Sequence, residues 1–241
     1  MSKEPLSGVL LVDKDPDMTS HDVVAVARRC LNERKIGHCG TLDPMATGML
    51  ILVIGNATKI QDLLMAEDKE YVGTATLGST TSSQDREGEV LETKPVPELS
   101  LEDVKAAFDS MKGDFHQMPP MVSAIKKDGV ALYKLARQGK VVERDPRLVR
   151  VFDYEITRFE SPEIDFRVVC SKGFYVRTYA HDIGQKLGCG AHLSALRRTR
   201  SGHFKLLPGK HVTFSDLKEG RRELVQQAMY SLYDVSKLRG A

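Results

Sequence analysis

The chain has 241 residues, of which 41% are hydrophobic and 28% charged, and its net charge at pH 7 is only +2. This length allows one large domain or two small ones, and the ordinary apolar content excludes a disordered or fibrous chain. The first residues lack the pattern of a secretion signal and the longest apolar run is too short to span a bilayer, so we expect a soluble, cytoplasmic protein.

The chain begins with a predicted strand and a predicted helix. Residues 8–14 form an apolar run that ends in charge, which indicates a strand with Lys14 at its end. Thr19 and Ser20 are residue types that cap helices, and apolar residues follow them at helical spacing as far as residue 31. We therefore predict a helix over residues 20–31.

Residues 37–55 are the stretch around which the chain is organised, and they begin Gly-His-Cys-Gly-Thr-Leu-Asp-Pro-Met-Ala-Thr-Gly. Asp43 precedes Pro44, and a residue before proline is pushed out of the α region, so Asp43 is predicted to lie on a loop. The apolar run over residues 49–54 predicts a buried strand behind that loop. The acid is therefore either a reactive group on a glycine-rich loop or part of a plain turn, and the residues alone favour the turn.

Short helices and strands alternate irregularly through the rest of the chain. This mixture favours an α+β domain over a doubly wound parallel sheet. The predicted helices are residues 57–66, 100–111, 130–138, 176–187 and 221–232. The predicted strands are residues 70–77, 148–156, 164–170 and part of 191–205, and residues 78–88 are predicted to be a polar loop.

Charge is distributed unevenly along the chain. Residues 1–109 hold 11 basic and 19 acidic residues, a net of −8, whereas residues 110–210 hold 19 and 10, a net of +9. A basic region of this kind is typical of a surface that binds a polyanion, although a solvated helix face gives a similar pattern. The densest cationic stretches are residues 134–150 and 197–205.

The four cysteines are widely and irregularly spaced, and no Cys-x-x-Cys pair occurs. This spacing indicates neither a zinc site nor a disulfide framework. We expect free and mostly buried thiols.

Several separated segments together resemble the bacterial B-type tRNA pseudouridine synthases, which isomerise uridine 55 in the T loop of tRNA. The segments are collinear, and five matches in order are very specific. They are residues 8–14, 37–50, 69–71 with 77–78, 117–137, and 170–177 with 188–193 and 196–198. The resemblance implies the pseudouridine synthase catalytic fold, with a mixed, mainly antiparallel central sheet flanked by helices and loops.

The resemblance also implies that Asp43 is the catalytic nucleophile, which reverses the preference for a plain turn. An aspartate with an ordinary pKa near 4 is ionised at neutral pH, so it needs no general base. It would attack ribose C1′ or add to C6 of the pyrimidine, or the ribose would lose a proton to form a glycal. The sequence does not choose among these routes, and none of them requires a cofactor.

Two further catalytic residues follow from the resemblance. Arg177 matches the arginine that pairs with the aspartate, and a nearby cation would keep that carboxylate charged. Tyr71 matches the tyrosine that stacks on the target base, where stacking contributes about 1–3 kcal/mol.

Four residues match family positions that bind the substrate. His38 matches a histidine that lies against the RNA where the flipped nucleotide leaves the stack. Tyr175 and Leu196 match positions that line the uracil pocket. Lys14 matches a lysine near the catalytic loop, although Asp-Pro-Asp follows it where the family has proline directly after the lysine and then glycine.

The expected partner is the T arm of tRNA, whose phosphates the two cationic stretches would contact, with Arg198 among the contacts. No obligatory protein partner and no membrane are expected, and a monomer is the default. We predict a catalytic domain over residues 1–210 and a short helical extension over residues 211–241, without the PUA domain that many family members carry. The alternatives are a pseudouridine synthase for another structured RNA loop, and an RNA-binding or tRNA-folding chaperone.

Overall fold

A computed structural model describes residues 6–123, 125–127, 129–136, 138–140 and 142–240. Residues 1–5, Ala124 and Arg137, which entered the predictions above, lie outside the described residues, as does the side chain of Lys134. The chain divides into two compact units. Unit 1 comprises residues 1–71 and 196–241, and unit 2 comprises residues 72–195.

Helices and strands alternate irregularly along the chain, as the sequence predicts, and both kinds occur in each unit. In chain order they are β1 (Gly8–Lys14), α1 (Ser20–Leu31), β2 (Ile36–Cys39), β3 (Thr47–Ile54), a 3₁₀ helix (Gly55–Ile60), α2 (Gln61–Met65), β4 (Lys69–Leu77), β5 (Ser79–Thr81), β6 (Val90–Thr93), α3 (Leu101–Asp109), β7 (Gly113–Gln117), β8 (Lys126–Lys127), β9 (Val130–Ala131), α4 (Leu132–Ala136), β10 (Arg147–Glu160), β11 (Glu163–Cys170), α5 (Val176–Lys186), β12 (Ala191–Ser201), β13 (Phe204–Lys205), β14 (Val212–Thr213), α6 (Phe214–Lys218), α7 (Arg222–Gln227) and α8 (Leu232–Leu238).

In unit 1, β3 is the strand around which the others pair. β1 runs antiparallel to it along its whole length, from Gly8 opposite Ile54 to Lys14 opposite Gly48. β2 pairs antiparallel with residues 51–54 of β3, β12 pairs parallel with residues 47–48 of β3, and β14 is parallel to β1. Because β3 is buried on both faces, its sequence is a continuous apolar run rather than an alternating one. The predicted strand over residues 49–54 is confirmed.

Helix α1 begins where the sequence predicts. Thr19 is its N-cap: the Thr19 hydroxyl accepts from the Asp22 N–H, and the Asp22 carboxylate accepts from the Thr19 N–H in return. Such a cap satisfies backbone donors that have no partner within the helix. The helix ends at Asn32, which takes a left-handed conformation with φ 50°.

In unit 2, the predicted pairing of two long strands is confirmed. β10 and β11 are antiparallel, and β7 pairs antiparallel with β10. Alternate residues of β11 are buried, from Ile164 to Cys170. One of them, Phe166, belongs to an aromatic cluster in which Tyr179 of α5 contacts Phe108 and Phe166 edge-on.

Several predictions differ from the structure. The helix predicted over residues 57–66 is a 3₁₀ helix followed by α2, and the helix predicted over residues 130–138 begins only at Leu132, after β9. β7 was not predicted, because its sequence Gly-Asp-Phe-His-Gln has little apolar content. The loop over residues 78–88 begins as β5, which pairs with β6. The single helix predicted over residues 221–232 is two helices, because the backbone of Tyr230 bonds to Val9 in both directions and Ser231 caps α8.

The α+β class with mixed, mainly antiparallel pairing is confirmed. Cys39, Cys170 and Cys189 are buried, as expected, and none of the four cysteines belongs to a disulfide. Within the described residues, no helix is long and apolar enough to cross a membrane. The same part of the chain shows no group of three or more His, Cys, Asp or Glu side chains placed to hold a metal ion.

Candidate active site

Asp43 lies on a loop that joins β2 to β3 in unit 1. The loop turns tightly at Asp43, whose carbonyl accepts from the Ala46 N–H at 3.0 Å. Leu42, Met45 and Ala46 are buried, while Asp43 is partly exposed. The apolar residues of the loop thus anchor it in the core, while part of the surface of Asp43 stays exposed.

Side chains from three elements bond the backbone of this loop. Ser20, at the start of α1, accepts from the Leu42 N–H at 2.9 Å and donates to the Leu42 carbonyl at 3.3 Å. Lys14, at the end of β1, donates to the Pro44 carbonyl at 3.1 Å. Arg198, in β12, donates to the Gly40 carbonyl at 3.1 Å. Side-chain hydrogen bonds therefore hold the backbone of this loop before Asp43, next to it and after it.

Lys14 is almost fully buried, with 1% of its surface exposed. Its ammonium group also donates to the carbonyls of Asp15 and Met18, at 2.8 Å each. An ammonium group has three donors, and backbone carbonyls are suitable acceptors for them when the group is withdrawn from water. These contacts support a role in holding the loop and the turn after β1.

Arg198 contradicts the prediction that it contacts phosphate at the surface. Its side chain is 1% exposed, and its guanidinium group bonds two backbone carbonyls, Gly40 and Met49. The neighbouring Arg197 is partly exposed and forms a two-fold ion pair with Asp13, at 2.9 and 2.7 Å. Within this basic run, Arg198 is therefore buried rather than exposed at the surface.

Sequence reasoning missed the roles of Ser20 and Arg198. The sequence places Ser20 only at the helix start, and it places Arg198 among the residues expected to contact phosphate. The sequence did contain a sign that Arg198 is buried. Side chains alternate along a strand, so Arg198 lies on the same face as Leu196, which was expected to line the pocket.

His38 lies in β2, close to the start of the Asp43 loop. Its ring contacts that of His21 edge-on, with the centroids 5.3 Å apart. Burial lowers the pKa of His38 to about 4, and the electrostatic effects of His21 and Arg198 act in the same direction. The His38 imidazole is therefore neutral at physiological pH, and its buried Nδ1 has no hydrogen-bond partner in the described part of the chain.

Tyr71 and Leu196 also belong to unit 1. Tyr71 is in β4 with 9% of its surface exposed, and Leu196 is in β12 with 7% exposed. The Leu196 carbonyl accepts from the Thr47 hydroxyl, at the first residue of β3, at 3.4 Å. Five of the predicted site residues thus belong to unit 1, namely Lys14, His38, Asp43, Tyr71 and Leu196.

Arg177 and Tyr175 belong to unit 2. Arg177, in the first turn of α5, is 3% exposed and donates to the carbonyls of Ser83 and Val122, at 2.7 Å each. Its Nε lies 3.6 Å from the carboxylate of the buried Asp85. This guanidinium group is therefore fixed by a carboxylate and by two segments of backbone.

Tyr175 precedes α5, and its backbone is held by one side chain. Gln117 of β7 accepts from the Tyr175 N–H at 2.8 Å and donates to the Tyr175 carbonyl at 3.0 Å. A buried amide that satisfies both groups fixes the entry to the helix. β7, which the sequence did not reveal, thus positions one of the predicted substrate-binding residues.

Two family models match consecutive parts of this chain. The N-terminal domain of TruB family pseudouridylate synthase matches residues 28–176, and the C-terminal domain of tRNA pseudouridylate synthase B matches residues 177–234.

Relatives of this chain are similar over most of its length. The tRNA pseudouridine synthase B of Opitutus terrae is 60% identical over 204 residues, which cover 85% of each protein. That of Syntrophotalea carbinolica is 53% identical over 199 residues, which cover 83% of this chain and 65% of the relative.

The fold also matches experimental structures. A chain in the crystal structure of a Cbf5–Nop10–Gar1 complex aligns with a TM-score of 0.74 and 30% sequence identity, over 96% of this chain and 62% of that one. A chain in the structure of an H/ACA RNP bound to a substrate RNA containing 2′-deoxyuridine aligns with a TM-score of 0.70 and 28% identity, over 96% of this chain and 61% of that one. Because both family models and relatives of up to 60% identity cover most of the sequence, the chain belongs to the TruB family of pseudouridylate synthases.

Proposed function

We propose that this chain isomerises uridine 55 in the T loop of tRNA to pseudouridine, with Asp43 as the nucleophile. The observation that carries the proposal is the fixed backbone around Asp43, which Lys14, Ser20 and Arg198 all bond. A nucleophile on a loop with several backbone anchors has its position set before the substrate binds. Membership of the TruB family and the names of the relatives support the choice of reaction and of tRNA.

The proposed reaction breaks the N1–C1′ bond of uridine and forms a C5–C1′ bond after the base has rotated. The proton on C5 passes to solvent and N1 takes up a proton, so the product is an isomer and no electrons are transferred. An aspartate that is ionised at neutral pH serves as the nucleophile without a base to activate it. Attack at C1′, addition at C6 and the glycal route all use the same carboxylate.

The target uridine must leave its stack before the carboxylate can reach it. We assign Tyr71 to stacking on the flipped base, and Tyr175 and Leu196 to the walls of the uracil pocket. His38 would face the RNA as a neutral imidazole, which donates or accepts a hydrogen bond without adding charge. Lys14 would act through the Pro44 carbonyl, next to the nucleophile.

Arg177 is assigned to the Asp43 carboxylate, which its charge would hold in the ionised form and in one rotamer. What supports this assignment is the way Arg177 is fixed: its contacts with Ser83, Val122 and Asp85 restrict the guanidinium group to one orientation.

The T arm of tRNA is the proposed partner, bound by a chain that acts alone as a monomer in the cytoplasm. In the cationic stretch of residues 134–150, Lys140, Arg147 and Arg150 are exposed, so they remain candidates for contact with phosphate. Arg144 is partly buried and donates to the Pro119 carbonyl at 2.9 Å, which favours a structural role.

The test is release of tritium from tRNA transcript labelled at uracil C5. We expect release with the wild type and none with Asp43→Asn, while tRNA binding persists in both. Asp62→Asn makes the same chemical change at an exposed position of unit 1 and is expected to keep full activity.

A second transcript tests which uridine is modified. A transcript with cytidine in place of uridine 55 should release no label. Release from that transcript would assign the enzyme to another uridine, and binding without any release by the wild type would leave an RNA-binding or tRNA-folding protein instead of an enzyme.

A further inference from the structure

Arg198 is one of the largest fully buried side chains in the described part of the chain, and two backbone carbonyls accept hydrogen bonds from its guanidinium group. Its Nε donates to the Met49 carbonyl at 2.7 Å and its Nη2 to the Gly40 carbonyl at 3.1 Å. Among the described residues, no carboxylate oxygen lies within 4.0 Å of its guanidinium nitrogens. A guanidinium group cannot lose its proton in a protein, so the carbonyls are essential to its burial.

The two acceptor carbonyls lie on opposite sides of the Asp43 loop. Gly40 follows the last residue of β2, and Met49 is the third residue of β3. Together they bracket the segment that carries the acid. The planar guanidinium group, with donors in a fixed fork, holds both ends of this segment at once.

The backbone of Arg198 is as firmly placed as its side chain. β12 pairs in parallel with β3 at this point, with Arg198 opposite Gly48. The two backbones approach so closely that a Cβ on Gly48 would lie 2.4 Å from the Arg198 carbonyl oxygen. Gly40 has φ +84°, and a Cβ there would lie 3.3 Å from the Arg198 Nη1. Because both residues are glycines, no side chain competes with this arginine and its strand for space.

We propose that Arg198 is a positioning residue for the isomerisation, which fastens the two ends of the Asp43 loop to β12 and so sets the position of the nucleophile. The inference rests on the proposed function of Asp43, and it adds a residue that never touches the RNA. It replaces the role of Arg198 as a phosphate contact, which its burial rules out.

The distinguishing variant is Arg198→Lys, which keeps the charge but replaces the fork with a single ammonium group. Such a group can reach one carbonyl but does not hold both in the original geometry. We expect the single-turnover rate of tritium release to fall about 10- to 100-fold, because small displacements of a reacting group have effects of this size. The dissociation constant for tRNA and its salt dependence should stay within about two-fold of the wild type.

Arg28→Lys is the matched control. Arg28 also donates from its guanidinium group to a backbone carbonyl of β2, that of Ile36 at 2.8 Å, but at the end of the strand remote from the loop. This variant should keep the wild-type rate.

Amide hydrogen exchange over residues 40–47 supplies a readout that does not depend on catalysis. Exchange there should be faster in Arg198→Lys than in the wild type and unchanged in Arg28→Lys. If the wild type released no tritium, the proposed function would fail while this readout still tested the fastening of the loop.

Three results would overturn the proposal. They are an unchanged rate together with unchanged loop exchange in Arg198→Lys, a weaker tRNA affinity with a flatter salt dependence, and loss of folding at 20 °C in both Arg198→Lys and Arg198→Gln. The second result would return Arg198 to the RNA surface, and the third would make it a residue of general stability.

Discussion

Each of the two units has a buried arginine that fixes a loop, but the groups around the two guanidinium groups differ. In unit 1, Arg198 bonds two backbone carbonyls of the stretch that carries Asp43. In unit 2, Arg177 bonds the carbonyls of Ser83 and Val122 and also lies beside the carboxylate of Asp85. One cation therefore depends on the shape of the backbone alone, and the other depends in addition on an acidic side chain.

This difference suggests different uses for the two cations. An arginine held by carbonyls alone fixes the course of the chain, which suits a residue that positions a nucleophile. An arginine beside a carboxylate is held in one orientation by an acid, which suits a guanidinium group that must itself face a reacting group. The following experiments test this contrast, in order of the expected effect.

The largest effect on stability is expected where the backbones of β3 and β12 approach closely in unit 1. Gly48→Ala combines a φ of +93° with a Cβ only 2.4 Å from the Arg198 carbonyl. We expect the free energy of unfolding to fall by about 4 kcal/mol, because backbone strain and overpacking add. Urea denaturation measures this change.

Gly113→Ala in unit 2 separates the two causes. Its φ is +88°, yet nothing lies within 4 Å of the position of its Cβ. This variant should lose only about 1–2 kcal/mol. Equal losses in the two variants would show that the contact with β12 does not matter.

The carboxylate in unit 2 is the next feature. Asp85→Asn removes the charge of Asp85 from beside the buried Arg177 and weakens the acceptor of the Ser83 hydroxyl and the Glu87 N–H. We expect a loss of about 3 kcal/mol in the free energy of unfolding. Glu163→Gln, in an exposed pair with Arg158, should lose no more than about 1 kcal/mol. A loss as small for Asp85→Asn would mean that the charge of Asp85 contributes little to holding Arg177.

Helix capping allows the two units to be compared with one chemical change. Thr19 of α1 and Ser100 of α3 form the same reciprocal cap, with Asp22 and Asp103 respectively. Thr19→Ala and Ser100→Ala should each lower the free energy of unfolding by about 1 kcal/mol. Only Thr19→Ala should also lower the rate of tritium release, since α1 begins with Ser20, which bonds Leu42 of the Asp43 loop.

The ionisation of His38 has no effect on stability at neutral pH but has one in acid. The pKa of His38 is about 4 in the folded protein, against an ordinary value of 6.5 for histidine, so between these values the unfolded chain binds a proton that the folded protein does not. Stability from this group is therefore complete above pH 6.5 and is lost progressively as the pH falls to 4.

Comparison of the wild type with His38→Gln isolates this effect from that of other groups. The difference between their free energies of unfolding should be constant above pH 6.5 and should shift in favour of the variant as the pH falls. NMR titration of the His38 ring should give a midpoint near 4. A midpoint near 6.5 would contradict the burial of the ring.

Local sequence patterns were sufficient for much of the fold. The cap at Thr19, the loop at Asp43 and the buried strand behind it follow from interactions between residues close in sequence. The Asp85–Arg177 contact and the Arg198–Gly40 bond, which spans 158 residues, had no local signal. Arg198 stands in a run of basic residues that is typical of a surface, and only the alternation of its strand places it inside.

The break at Tyr230 was hidden for the same reason. Nothing near residue 230 shows that its backbone pairs with Val9, at the opposite end of the chain, so a continuous helix was predicted. The assignments of Asp43, Tyr71 and Arg177 to catalysis came from the resemblance, because spacing alone did not separate a nucleophile from an ordinary turn.

The pairing of Val9 with Tyr230 also determines how this chain can be divided for experiments. Tyr230 and Val235 pack in one cluster with Val9, Leu11 and Met49, and β14 extends β1 at its edge. The Arg239 guanidinium group lies 3.0 Å from the Glu67 carboxylate, two residues before the strand of Tyr71. Expression of residues 1–210 alone would expose this cluster to water, so truncated forms are poor substitutes for the whole chain, and affinity tags or fluorophores are better attached beyond residue 239.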